Sequence, residues 1–121
     1  MSDVASVTGK LDAQAQELDK LSRELGQTER DLAPVEECYE SYLDTFETGL
    51  WDLHVAGDKL PPAEIRLRLA RREMDKALLG EYSALIRKRK RLEKRIKALG
   101  SAIDAQRSIL SALKQELAAV S

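Results

Sequence analysis

The chain has 121 residues and 13.5 kDa, with 34% charged side chains, 43% hydrophobic ones and only 4% aromatics. Many charges and aliphatics with so few rings exclude a β-sandwich or a ligand-enclosing α/β fold and point to long exposed helices. The 20 Lys and Arg nearly cancel the 21 Asp and Glu, so the net charge of −1 excludes a protein built wholly around nucleic acid.

The first predicted element is a helical arm over residues 3–53. Counting sevens from Val4 gives Leu11, Leu18, Leu25, Leu32, Tyr39, Phe46 and Leu53, every one apolar or aromatic. The series three residues on reads Val7, Gln14, Leu21, Thr28, Val35, Tyr42 and Gly49, a weaker but compatible stripe. A sevenfold repeat this long is the pattern of a coiled-coil seam. Pro34 removes one helical hydrogen bond and crowds the turn before it, yet the count passes through it without a slip. A kink is therefore expected there, with the fallback of a break in which Asp31 caps a second helix starting near Pro34.

Residues 54–61 form the predicted loop, the one place with concentrated turn chemistry: Gly57-Asp58, then Pro61-Pro62. The proline pair suits the first turn of a new helix, where a missing N–H costs little. A short helix is expected over 62–74, in IRLRLARREM, with Leu67, Ala70, Met74 and Leu78 on one face, Ile65 and Leu69 nearly opposite and the arginines around the remainder.

The last element is an arm over 76–120. Leu78, Tyr82, Leu85, Arg89, Leu92, Ile96, Leu99, Ile103, Gln106, Leu110, Leu113, Leu117 and Val120 alternate in steps of four and three, with only Arg89 and Gln106 polar. Gly80 and Gly100 each cost a helix about 1 kcal/mol relative to Ala, which such a seam absorbs.

These elements predict one all-α domain: a long antiparallel coiled-coil helical hairpin with a short third helix near the bend. With the turn centred near Glu64, residue i faces about residue 128 − i, so that Leu18 meets Leu110, Leu25 meets Ile103, Phe46 meets Tyr82, and Tyr39 lies on Arg89 as a cation–π contact. A lone hairpin buries one stripe, poor compensation for ordering the chain, so two copies are expected to dimerise into a four-helix bundle.

Charge divides between the arms. Residues 1–60 hold 14 acids and 5 bases, net −9, and residues 61–121 hold 7 acids and 15 bases, net +8. That segregation favours antiparallel pairing of the arms, with Glu37 expected on Arg91, Glu40 on Lys88 and Asp31 on Lys97. Within the run 87–97, Arg87, Lys90, Lys94 and Arg95 are then left over as candidate phosphate-contacting residues, although no nucleic-acid recognition motif accompanies them. All five aromatics lie near the bend, together with the lone His54, the double proline and the arginines of the short helix. Trp and Arg are the types most often found as binding hot spots, so Trp51, His54, Arg66, Leu67, Arg68, Arg71 and Arg72 are the candidate partner-binding residues. The bland alternative is that the head aromatics simply fill a small core.

Signals for chemistry are weak. A lone Cys38 and a lone His54 allow neither a disulfide within the chain nor a His–His metal site, and there is no Gly-rich phosphate loop. Cys38 has no predicted basic neighbour to activate it, and it reads as an inert, half-buried thiol. No apolar run approaches the ~20 residues of a membrane span, and the N-terminus does not read as a signal peptide, so a cytoplasmic non-enzyme without cofactors is expected.

The hairpin outline is similar to the small secreted hairpins of type VII secretion, the arm of Gre-type transcription factors and prefoldin subunits. Trp51-Asp52-Leu53 departs from the Trp-X-Gly turn of the first, the mixed and locally basic bend from the acidic tip of the second, and the unbroken helical pattern from the strands of the third. The expected function is that of a coiled-coil interaction, scaffold or adaptor protein. It would pair with itself and with another protein through its head. The second reading is a nucleic-acid-associated regulatory factor that uses the basic segments 66–72 and 87–97.

Overall fold

A computed structural model describes residues 3–53 and 60–120, and those residues contain helices and no strand. Helix α1 spans Val4–Leu53, α2 spans Ala63–Glu73 and α3 spans Lys76–Val120, with α1 packed against α3 as a helical hairpin. The expected loop falls mostly on residues 54–59, outside the described residues. Pro34 sits inside an uninterrupted α1, so the alternative of a second helix beginning there is set aside. Its side chain is exposed.

The chain divides into two compact units, Met1–Gln27 with Arg89–Ser121 and Thr28–Lys88. In the first, the start of α1 packs against the end of α3. Asp3 begins α1 as its cap: Ser6 N–H donates to Asp3 Oδ1 at 2.7 Å, satisfying one of the donors that a helix start leaves free. Val7 and Leu21 of α1 are buried at 1% and 2% exposure, as are Leu92 at 2% and Ile103 at 7% in α3. The stripe that looked weaker in sequence is thus the deeper one here, while Leu11, Leu18 and Leu25 of the stronger series are half-buried. Glu17 Oε1 and Arg95 Nη2, 3.5 Å apart, join the two helices along the flank.

In the second unit, Thr28, Leu32 and Tyr39 of α1 are buried, together with Ala70 and Met74 at the end of α2. Pro62 starts α2, and its carbonyl accepts from the N–H groups of Ile65 and Arg66 at 3.0 Å. The helix stops at Met74 because that residue turns extended, with φ −66° and ψ 147°. Asp75 then opens α3. Its carbonyl takes the Leu79 N–H at 3.0 Å and its Oδ1 takes the Ala77 N–H at 3.2 Å. One extended residue and one capping aspartate therefore separate two helices whose sequences could have run together.

The register differs from the expected one. Tyr39 stacks on Tyr82, ring centroids 3.9 Å apart and planes 6° off parallel, whereas Tyr82 was expected on Phe46 and Tyr39 on Arg89. Arg89 instead lies 3.9 Å from Glu93 on its own helix. In the first unit Ile103 shares a groove with Leu18, not only with residues near Leu25. Both shifts equal one heptad. They follow from a reversal centred near residue 60 rather than near Glu64. Among the described residues Glu40 and Lys88 consequently form no ion pair.

Candidate interaction surface

The predicted binding residues converge on the second unit, where α2 lies along α1. Its inward face is Arg66, Leu69, Ala70 and Met74, a different stripe from the expected Leu67, Ala70, Met74 and Leu78. Arg66 sits among them because its charge is matched. Its Nη1 donates to the Pro61 carbonyl at 2.7 Å, and its Nε lies 2.9 Å from Glu47 Oε1, an ion pair outside hydrogen-bond geometry. Arg66 thus ties α2 to α1 and to the residues that lead into it.

With Arg66 turned inward, Leu67 moves to the flank. It is 38% exposed, over a groove shared with Leu43, Phe46 and Ala70, and Ile65 is 45% exposed. Trp51, in the last turn of α1, is 57% exposed. Three large apolar side chains of one small unit therefore face solvent, while the aromatics Tyr39, Tyr42, Phe46 and Tyr82 are buried or half-buried. The head core that sequence reasoning offered as the bland reading does exist, but Trp51 is not in it.

Arg68 and Arg72 are exposed and make no ion pair among the described residues. Arg71 is different. Its Nε donates to the Tyr39 hydroxyl at 3.0 Å, so the guanidinium is fixed beside the stacked Tyr39–Tyr82 pair. Of the candidate phosphate contacts, Arg87 belongs to this unit, while Lys90, Lys94 and Arg95 belong to the other. All four are exposed, and Arg95 is engaged with Glu17. His54 lies outside the described residues.

Sequence reasoning missed the Tyr39–Tyr82–Arg71 cluster, because a sevenfold pattern reads the same after a shift of seven. Cys38, expected half-buried, is exposed. Among the described residues no cluster of His, Cys, Asp or Glu could hold a metal ion, and no helix is long and apolar enough to cross a membrane. No family model matches the chain, and neither a curated protein nor a solved structure was found to be similar to it.

Proposed function

We propose that this chain is a non-catalytic coiled-coil interaction protein, a scaffold or adaptor that works as a homodimer and presents the α1 end and α2 to another protein. One observation carries the reading: Trp51, Ile65 and Leu67 are exposed on a unit whose other large apolar side chains, among the described residues, are buried or half-buried. Exposed large apolar groups beside arginines are the composition of binding hot spots, and a monomer gains nothing from leaving them wet. Trp51→Ala with Leu67→Ala should cost folding no more than about 1–2 kcal/mol, since Trp51 is more than half exposed and Leu67 is covered only in part. Partner recovery on the immobilised protein should fall sharply. Recovery of the same partners at the same yield by the folded double variant would remove this surface from consideration.

The second reading, a nucleic-acid-associated factor, is favoured by Arg68, Arg72, Arg87, Lys90 and Lys94, which are exposed and form no ion pair among the described residues. Salt separates the two, because phosphate contacts weaken steeply as salt rises and an apolar contact does not. Purification at low salt that carries absorbance at 260 nm, stripped at high salt, would promote the second reading over the first.

A further inference from the structure

Arg71 and Arg87 are sixteen positions apart in sequence, and nothing in the pattern joins them. The structure does. Arg71, Leu79, Tyr82, Ser83, Ile86 and Arg87 line one groove of about 330 Å³ between α2 and α3, with two arginines and no carboxylate in its walls. Four other grooves on the molecule each carry at least one Asp or Glu. Arg87 makes no ion pair or hydrogen bond among the described residues. Arg71 is held by its Nε on the Tyr39 hydroxyl, which leaves its two terminal amino groups as a pre-positioned fork for a carboxylate.

We propose that this groove receives an acidic, amphipathic segment of a partner protein, its carboxylates on Arg71 and Arg87 and an apolar side chain on Leu79 and Ile86. The inference rests on the reading of this chain as an interaction protein and adds the chemistry of the partner. Three features favour a short acidic protein segment over a polyanion. The walls between the two cations are aliphatic, which suits a Leu or Ile side chain and offers little to a sugar–phosphate chain. One face of the Tyr82 ring is already covered by Tyr39, so the ring is a poor platform for a base. The unit Thr28–Lys88 holds 13 acids and 9 bases, a net −4, which repels a long polyanion while leaving a two-arginine groove attractive at close range.

The test is a titration of the isotope-labelled full-length protein, followed by amide NMR, with a short peptide built of glutamate and leucine. Controls are the same peptide with glutamine for glutamate and a single-stranded oligonucleotide of similar length. The expected result is saturable shifts at Arg71 and along 79–87 with the acidic peptide, about tenfold weaker binding of the glutamine peptide, and a similar loss in Arg87→Gln. Arg87→Gln breaks no bond among the described residues, so its spectrum should otherwise match the parent and keep the test readable. Shifts confined to Trp51, Ile65 and Leu67 would overturn the groove while leaving the interaction reading intact. Stronger shifts of 71 and 79–87 with the oligonucleotide would overturn both in favour of nucleic acid. Concentration-dependent shifts of these residues in the protein alone would assign the groove to a second copy and overturn the proposed occupant.

Discussion

Tyr39 joins three helices through one side chain: it belongs to α1, stacks on Tyr82 of α3 and accepts a hydrogen bond from Arg71 of α2. Buried at 5% exposure, its hydroxyl has no cheap alternative to Arg71. Tyr39→Phe should therefore cost about 1 kcal/mol, and Arg71→Gln a similar amount. If the two act through one bond, the double variant should lose little more than either single one, as read by urea unfolding. Full additivity would show that the bond contributes nothing. The seam gives a sharper contrast. Leu32 is 1% exposed and Leu117 is 61% exposed, so Leu32→Ala should destabilise by about 2–5 kcal/mol and Leu117→Ala by less than about 0.5 kcal/mol.

Among the elements, the long helices carry defects that packing overrides. Pro34 gives no N–H to the carbonyl four residues back, yet α1 continues on both sides because the same stripe is buried before and after it. Pro34→Ala restores that bond at an exposed position and should raise stability by about 1–3 kcal/mol. Gly80 and Gly100 lie in α3, and a methyl group at either would meet no neighbour within 4 Å. Gly80→Ala and Gly100→Ala should each add about 0.5–1 kcal/mol, visible as a higher melting temperature; a fall at either would mean that the helix needs the glycine for something that packing does not show. The seam faces of α1 and α3 were legible from the spacing of Leu, Ile and Val, because burial of one stripe is the main force that selects them, whereas the inward face of α2 was not. The register was not legible, since Tyr39 satisfies the heptad opposite Arg89 as well as opposite Tyr82. The inward turn of Arg66 was hidden too. Hydropathy places an arginine outside, and only the Pro61 carbonyl and Glu47 together make the inside acceptable.

For the molecule as a whole, charge and burial bear on association. Among the described residues nine side chains are buried, a thin interior. Light scattering on a column should accordingly return twice 13.5 kDa, the mass of a pair. A pair held by apolar faces keeps that mass as salt rises, and one held by the −9 and +8 halves dissociates within the range where the screening length falls from about 10 Å to about 3 Å. A monomer at every concentration would set the dimer aside. Trp51 adds an optical consequence. It is the only tryptophan, and its indole stands 57% in water, so the emission of the whole protein reports a single place on α1. Free, it should emit at long wavelength and be quenched readily by iodide; a partner that covers the α1 end would shift it to the blue and shield it, with no label attached.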